Sequence, residues 1–119
     1  MIYVIGGANI DIFSKKSHDL ILRDSNPTKL SFSFGGVGHN IALNLAKLKE
    51  KVQFVSVFSH DHFSKGLIED CLSNGLSLDH AIYREDYPSS MYIAIMDKDN
   101  DMYLGLSDMS ILESLKWEE

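Results

Sequence analysis

The sequence has 119 residues, of which 45% are hydrophobic and 24% are charged, a balance typical of one globular domain. Its formal net charge is −6 and its basic residues are scattered, which argues against a nucleic-acid partner, because phosphate binding needs clustered Lys and Arg. The chain shows neither a signal-peptide pattern nor an apolar run approaching the roughly 20 residues of a membrane span, so we expect a cytoplasmic protein with no membrane partner.

The first third of the chain predicts two kinds of strand. Residues 2–5 form a continuous apolar run, typical of a parallel strand covered on both faces, and Gly6-Gly7 ends it. A second extended run covers residues 10–14. Residues 24–27 predict a turn, and residues 29–34 alternate strictly between polar and apolar side chains, which predicts a strand with one wet face.

The middle of the chain alternates helices with strands. A helix is predicted over residues 40–49, with one apolar face and small residues for close approach to a sheet; the face consists of Ile41, Leu45 and Leu48. Residues 52–58 and 78–83 are apolar and predict strands. Between them Asp61 is the expected N-cap of a helix over residues 63–72 that ends around Asn74-Gly75. Cys71, the single cysteine, lies in that helix, where we expect it to pack in the core.

The last third predicts a hairpin and a short helix. Residues 90–97 and 102–107 are strands joined by a polar loop at 98–101. Residues 110–117 favour a helix with Ser110 as N-cap and Glu113 as its reciprocal partner. The strands therefore form two groups within one α/β domain spanning residues 1–119. One group makes a parallel sheet with flanking helices, and the strands at 10–14, 29–34, 90–97 and 102–107 make a small antiparallel sheet.

Asn9 and Asp11 are the first candidate site residues, just beyond the first buried strand. Ligands of open α/β sheets bind beyond the carboxyl ends of the strands. Two extended residues two apart point to the same side, so this pair can bind vicinal hydroxyls. An Asx turn that satisfies the local backbone is the alternative.

The second candidate is the glycine-rich turn at residues 35–40. Gly35, Gly36 and Gly38 would let a ligand touch the backbone, and Asn40 could bond a ligand hydroxyl from the first turn of the helix. His39 could also reach a ligand. The spacing matches neither the dinucleotide fingerprint nor a P-loop. A tight turn that only requires positive φ is the alternative.

The third candidate is the hairpin sheet, whose polar positions Ser90 and Tyr92, with Asp108 after the hairpin, could cover a ligand as a lid. An edge used for dimerisation is an equal and compatible alternative. His60 and His62 flank Asp61, but helix capping explains that aspartate, and we expect no metal site.

These motifs occur in an order that resembles the ribokinase-like, PfkB family of carbohydrate kinases. The matching segments are IGGANID at the N-terminus, GGVGHNIA at the glycine turn and VSVFSHD at residues 55–61. DSNP before the turn, and DM and SDM around the second hairpin strand, are similar to the pseudouridine kinases within that family. The resemblance covers essentially the whole chain.

The resemblance implies a ribokinase-like α/β fold with a β-sheet lid, and ATP-dependent phosphorylation of the ribose 5′-hydroxyl of a sugar or nucleoside, with Mg²⁺ as the accompanying metal ion. It implies that Asn9 and Asp11 bind ribose hydroxyls, that Gly35, Gly36 and Asn40 surround the same sugar, and that the lid carries Ser90 and Tyr92, with Asp108 as a weaker candidate. Lid sheets of such kinases often pair, which implies a homodimer.

The chain also departs from the family pattern. Lys49, Ser59 and Ser64 stand where small residues or glycines are usual, and His39 stands where the pseudouridine branch often has Arg. The second family signature, a Gly-Ala-Gly-Asp-like turn that supplies the catalytic base, has no match here. We therefore expect the N-terminal, substrate-binding portion of such a kinase, inactive alone and without its own ATP site. The alternatives are a non-catalytic sugar-binding or dimerisation module, and an unrelated α/β domain.

Overall fold

A computed structural model of the chain describes residues 1–15 and 19–116 and has the predicted α/β class. Its strands are β1 (Ile2–Ile5), β2 (Asn9–Ser14), β3 (Leu30–Gly35), β4 (Val52–Val55), β5 (Val57–Ser59), β6 (Ile82–Arg84), β7 (Met91–Met96) and β8 (Met102–Asp108). Its helices are α1 (Val37–Lys47), α2 (His62–Ser73) and α3 (Ser110–Glu113).

The body of the fold consists of parallel strand pairs, β1 with β4 and β5 with β6. The prediction of one uninterrupted strand over residues 52–58 is wrong, because the strand is interrupted at Ser56. The break marks a change of partner: Val55 accepts a hydrogen bond from the amide of Gly6 (3.1 Å), whereas the carbonyl of Ser56 accepts one from Ile82 (2.9 Å). Local apolarity could not reveal that change.

The strand predicted over residues 78–83 begins only at Ile82. Leu78 is buried in the core, and a turn at Asp79 and His80 follows it, closed by a 3.0 Å hydrogen bond from the amide of Ala81 to the carbonyl of Leu78. The apolar residues at both ends of this turn pack inward, so the run resembles a strand although its centre is a bend.

The core lies between the parallel strands and one face of α1 and α2. Its buried members are Val4, Ala8, Ala42, Val52, Phe54, Phe58, Leu67, Cys71, Leu76 and Leu78. Cys71 is fully buried, as predicted, and burial raises the pKa of its thiol to about 12.

Of the three residues predicted to form the apolar face of α1, only Leu45 packs against the core. The helix begins at Val37 and buries Gly38, His39 and Ala42, whereas Ile41 is 49% and Leu48 is 73% exposed. The outer face of β1 is open as well: Tyr3 is 59% and Ile5 is 72% exposed. Coverage of both faces of β1, expected from its apolar run, is therefore not seen within residues 1–15 and 19–116.

The second sheet has four strands in the order β3-β2-β7-β8. Its two outer pairs are antiparallel, as expected, but the central pair of β2 and β7 is parallel. Most of the chain, including β3 and the body of the fold, lies between β2 and β7, so no hairpin turn constrains the relative direction of these two strands. The hairpin loop predicted at 98–101 is confirmed, and Asp97 Oδ1 closes it by accepting bonds from the amides of Asp99 and Asp101 (2.9 and 3.0 Å).

The loop between β2 and β3 and the last helix differ from prediction. The chain turns at Leu22 and Arg23 rather than within residues 24–27, and the Asn26 side chain closes that turn through bonds to Ile21. Helix α3 begins after Met109, without a side-chain cap, so Ser110 is not its N-cap. Of its predicted span, residue 117 lies outside the described part of the chain.

Each described helix falls short of the length and apolar content needed to cross a bilayer.

Candidate functional site

The Asn9–Asp11 pair lies where the chain leaves β1 and begins β2. The turn between the strands is Gly6-Gly7-Ala8. Ala8 and Ile10 are buried, whereas Asn9 and Asp11, which alternate with them, are half-buried at the start of β2. The side chain of Asn9 bonds the Asp11 carboxyl. Burial raises the pKa of Asp11 above its ordinary value, although the bond from Asn9 and the nearby His39 act in the opposite direction.

The glycine turn lies directly against this pair. Gly35 is buried and pairs with Asn9 across β3 and β2, and a Cβ at Gly35 would collide with Asp11 Oδ2. Gly36 has φ of 101°, and a Cβ there would come 2.7 Å from the carbonyl oxygen of Gly7. Glycine at position 36 is therefore required by the backbone of Gly7, whereas a side chain at position 35 would displace the Asp11 carboxylate.

Gly38 has a different environment. It is buried, and a Cβ there would lie 2.8 Å from the Cα of Gly6, so it lets the first turn of α1 pack against the β1–β2 turn. The amide of His39 completes this contact with a 3.0 Å bond to the carbonyl oxygen of Gly7. The alternative reading of the motif as a turn that needs positive φ applies only to Gly36.

Asn40 and His39 differ sharply in exposure. Asn40 is exposed at the start of α1. His39 is only 1% exposed. Its Nε2 lies 3.2 Å from Asp70 Oδ2 and its Nδ1 lies 3.2 Å from Asn40 Oδ1, so the expectation that its side chain reaches a ligand directly is wrong.

One face of the four-stranded sheet continues the site. Asp11 pairs with Ser33 on β3 and with Tyr92 on β7, and Tyr92 pairs with Ser107 on β8. Paired residues share a face of the sheet, so these four side chains lie in one line across it. We call this set, Ser33, Asp11, Tyr92 and Ser107, the polar row. Ser33 and Ser107 are not among the predicted site residues; the strict alternation of residues 29–34 places Ser33 on the polar face of its strand, whereas Ser107 could be found only from the strand register.

Ser90 connects the sheet to the Asn9–Asp11 pair. Its Oγ donates to Asn9 Oδ1 (3.2 Å), and its carbonyl accepts from the amide of Ile10 (2.9 Å). Tyr92 extends instead toward β8, where its Oη lies 3.4 Å from Met102 Sδ and a Cβ at Gly105 would come within 2.5 Å of it. Ser90, Asn9 and Asp11 are therefore in one connected group, and Tyr92 lies beside it.

Asp108 does not join this group. It follows Ser107 along β8 and so lies on the opposite face from Asp11. Its Oδ1 accepts bonds from the amide and the hydroxyl of Ser110 (3.3 and 3.0 Å), at the start of α3. The sequence suggested Asp108 because it ends the hairpin, but the alternation of the strand turns it away.

A polar cluster fixes the segment that leads into β7. Asp61 caps α2 through Ser64, as predicted, and its Oδ2 also accepts from the amide of Ser89 (2.7 Å), while its Oδ1 accepts from the Ser89 hydroxyl. Burial alone would raise the pKa of Asp61, but the bonds from Ser89 and from the amide of Ser64 outweigh it and lower the pKa. The Ser59 hydroxyl donates to the carbonyl oxygen of Tyr87, and the Ser64 and Ser89 hydroxyls bond each other.

Within residues 1–15 and 19–116, no group of three or more His, Cys, Asp or Glu side chains is arranged to hold a metal ion. Asp61, between the two histidines at 60 and 62, is occupied as a helix cap. The first turn of α1 contains no acidic residue, and Gly36 provides no side-chain cap. What the site offers is a carboxylate, amides and hydroxyls, which suit a neutral polyhydroxylated ligand.

Comparisons with known proteins agree on the character of the whole chain. The family model described as pfkB family carbohydrate kinase matches residues 1–117. The chain is 32% identical over 117 residues to the pseudouridine kinase of Escherichia coli strain K12, covering 98% of this chain and 37% of that protein. It is 34% identical over 115 residues to the guanosine-inosine kinase of Exiguobacterium acetylicum, covering 94% of this chain and 38% of that protein.

A solved structure has the same arrangement of elements. The crystal structure of a putative sugar kinase from Clostridium perfringens superposes with a TM-score of 0.89 at 26% identity, covering 98% of this chain and 37% of the other. The chain thus spans little more than a third of the length of each of these three proteins.

Proposed function

Since this chain belongs to the pfkB family of carbohydrate kinases, we propose that it is the acceptor-binding and lid portion of a nucleoside kinase. In the whole protein, the phosphoryl group would pass from ATP to the ribose 5′-hydroxyl. The observation that carries this proposal is the connected group of Asn9, Asp11 and Ser90, held against the glycine turn.

The chemistry of this group fits two adjacent ribose hydroxyls. The carboxylate of Asp11 can only accept hydrogen bonds, whereas the amide of Asn9 can both donate and accept. Burial of Asp11 has removed part of its hydration, so hydroxyl donors from a sugar would replace lost water and bind as charge-assisted hydrogen bonds. Gly35 and Gly36 let the sugar approach the backbone, and Asn40 supplies a further polar contact.

The polar row supplies the lid. Ser33, Tyr92 and Ser107 flank Asp11 on one face of the sheet, so a sugar bound at Asp11 would lie under this face. Closure of the sheet over the sugar would exclude water, which strengthens the bonds made by Asp11 and limits hydrolysis of the phosphoryl donor.

The acceptor class is supported by the two relatives together. One is called a pseudouridine kinase and the other a guanosine-inosine kinase, and the ribose is the part that their acceptors share. The segment DSNP and the SDM at the end of β8 favour pseudouridine.

ATP and Mg²⁺ belong to the proposed reaction but not to this chain. A magnesium ion that accompanies ATP is held by one or two carboxylates together with the phosphates of the nucleotide, so its site would lie wherever the nucleotide binds. Asp11 is bonded to Asn9 and committed to the acceptor, so it is a poor general base for the 5′-hydroxyl. We propose that the base and the nucleotide site lie in the part of the relatives' length that this chain does not span, and that this portion alone is inactive. A cytoplasmic location, where ATP is available, is part of the proposal.

A homodimer through the lid is a second proposal, supported by the other face of the four-stranded sheet. That face carries Phe32, Leu104 and Leu106, which are 54%, 46% and 50% exposed. Contiguous exposed apolar surface of this kind suits an interface with another copy of the sheet. Replacement of Leu106 by Glu would weaken self-association in sedimentation velocity; a wild-type chain that stays monomeric would refute the dimer.

The experiment for the kinase uses a protein that carries this chain together with the remaining length of its relatives. Pseudouridine, guanosine, inosine and free ribose are offered with Mg-ATP, and ³¹P NMR identifies the phosphorylated position. The proposal predicts a 5′-phosphate on at least one nucleoside and loss of turnover in the Asp11→Asn variant. Turnover of none of the ribose-containing acceptors would contradict it. The non-catalytic sugar-binding module then remains only if the same protein binds pseudouridine or ribose.

A further inference from the structure

Gly105 is a glycine that its own backbone conformation does not require. It lies within β8, at the edge of the four-stranded sheet, and positive φ among the described glycines is found only at Gly36 and Gly75. Glycine in the interior of a strand weakens the strand, because it loses more conformational freedom on folding and has no side chain to pack. The reason for glycine at this position therefore lies in what packs against it.

The side chain that packs against Gly105 is Tyr92, from β7. A Cβ at Gly105 would lie 2.5 Å from Tyr92 Oη and 3.2 Å from its Cζ, so any larger residue would push the tip of the ring away. Ala94, which pairs with Gly105 and lies on the same face as Tyr92, is fully buried. The Tyr92 hydroxyl also donates to Met102 Sδ at 3.4 Å. Two small residues thus form a shallow floor, and the Tyr92 ring lies along the sheet instead of standing away from it.

The direction in which this ring lies leaves room for a ligand. Tyr92 pairs with Asp11 on one side and with Ser107 on the other, and its ring extends over β8, away from β2. The ring therefore does not cover the space over the Asp11 carboxylate. Tyr92 is only half-buried, so the side of the ring that faces away from Gly105 is accessible beside the proposed ribose site.

We propose that Tyr92 is a specificity-determining residue, which favours nucleosides over free sugars by stacking on the base. In a nucleoside the base is attached to C1′, next to the carbon that carries the 2′-hydroxyl, so a ribose held by Asp11 places its base beside the polar row. A ring that rests on Gly105 presents a fixed flat surface, and such a surface stacks on pyrimidine and purine rings alike. The inference rests on the proposed function, because it requires the ribose at Asp11.

The experiment separates the base from the sugar by calorimetric titration of the 119-residue chain with pseudouridine and with free ribose. Tyr92→Leu removes the ring, and Tyr92→Phe keeps the ring without the bond to Met102. The matched control, Tyr83→Leu, removes an exposed tyrosine from β6, outside the four-stranded sheet. We expect Tyr92→Leu to bind pseudouridine roughly tenfold more weakly, the effect of one lost base–aromatic stack, and to bind ribose like wild type. Tyr92→Phe and Tyr83→Leu should match wild type with both ligands.

Gly105→Ala tests the support of the ring. The new Cβ should lift the Tyr92 ring from the sheet and lower pseudouridine affinity by a similar factor, whereas alanine suits the interior of a strand better than glycine does. Nuclear Overhauser effects between the Tyr92 ring and the base protons of bound pseudouridine report the stack directly. They should be present in wild type and weakened in Gly105→Ala.

Thermal unfolding of each variant verifies that it is folded. Equal losses of pseudouridine and ribose affinity in Tyr92→Leu, unchanged pseudouridine affinity, or absence of the Overhauser effects in wild type would overturn the inference and leave the proposed function standing. Lower stability of Tyr92→Leu with unchanged affinities would likewise overturn it, and would show that the ring only shields a glycine in an edge strand. Absence of binding of both ligands by the folded wild-type chain would overturn the proposed function and with it this role of Tyr92.

Discussion

The carboxylate of Asp11 lies over Gly35 so closely that a single methyl group at Gly35 would overlap Asp11 Oδ2. This contact joins β2 to the glycine turn and fixes the position of the side chain that is proposed to hold the acceptor. It also gives a structural reason for glycine at position 35 that does not depend on an unusual backbone conformation, since only Gly36 and Gly75 among the described glycines have positive φ.

Replacing Gly35 by alanine should therefore displace the Asp11 carboxylate. We expect pseudouridine affinity to fall at least about tenfold, because a charge-assisted hydrogen bond contributes roughly 1.5–3 kcal/mol. Calorimetric titration measures this effect. The matched control is Gly66→Ala in α2, where the new Cβ would make an ordinary 3.5 Å contact with Phe34 Cζ; it should keep affinity and stabilise the helix by about 0.5–1 kcal/mol. Equal affinities of the two variants would refute the role of Gly35.

Asp11→Asn should make the protein more stable at neutral pH. Burial raises the pKa of this carboxyl, so the folded state holds its proton more tightly than the unfolded state does. Stability conferred by Asp11 therefore falls as the pH rises from its ordinary pKa through the raised folded value. Asparagine cannot ionise, and the variant escapes this loss.

Urea unfolding at several pH values measures the difference between Asp11→Asn and wild type. The advantage of the variant should be present at neutral pH and shrink toward zero below the ordinary pKa of aspartate. A variant that is less stable than wild type at neutral pH would show that Asp11 is held by favourable contacts of the chain itself, and would weaken its assignment to ligand binding.

The link between Asp61 and Ser89 should stabilise the entry into the lid strand β7. Hydrogen bonds lower the pKa of Asp61 in the folded state. The stability that Asp61 confers is therefore present above the ordinary pKa of aspartate and is lost as the pH falls through the lowered folded value. Asp61→Ala removes both the helix cap and the bonds to Ser89, and should cost about 2–4 kcal/mol.

Two milder variants separate the functions of Asp61. Asp61→Asn keeps a capping oxygen for Ser64 and should cost less than Asp61→Ala. Ser89→Ala leaves the cap intact but removes the hydroxyl bonds to Asp61 and Ser64, and should cost about 1–2 kcal/mol. Hydrogen exchange at the amides of Ser89 and Met91 should quicken in all three variants. Unchanged exchange there, with lower stability elsewhere, would mean that Asp61 acts only on α2.

Local chemistry made several elements predictable from the sequence. The N-cap at Asp61, the end of α2 at Asn74, the hairpin loop at 98–101 and the burial of Cys71 depend on neighbouring residues or on simple apolar preference, and each is confirmed. The position of Asn9 and Asp11 beyond a strand end followed from the same kind of pattern, and the structure brings them together with Ser90.

The features that could not be predicted from the sequence all depend on contacts between segments that are distant along the chain. The break at Ser56 depends on the change of strand partner, and the exclusion of Asp108 from the polar row depends on the β7–β8 register. The burial of His39 depends on Asp70, 31 positions further along the chain. Periodicity along one segment contains no information about which segment will face it, so these features could be found only from the folded chain.

Calorimetric titration of the 119-residue chain with pseudouridine, compared with its Asp11→Asn variant, tests the central claim most directly. Asp79→Asn is the matched control, because it removes an exposed carboxylate in the turn before β6, a strand that does not belong to the four-stranded sheet of the site. The account predicts that wild type and Asp79→Asn bind with equal affinity and that Asp11→Asn binds roughly 10- to 100-fold more weakly, the effect of one or two charge-assisted hydrogen bonds. Binding by Asp11→Asn as tight as by wild type, or no binding by the folded wild-type chain, would contradict it.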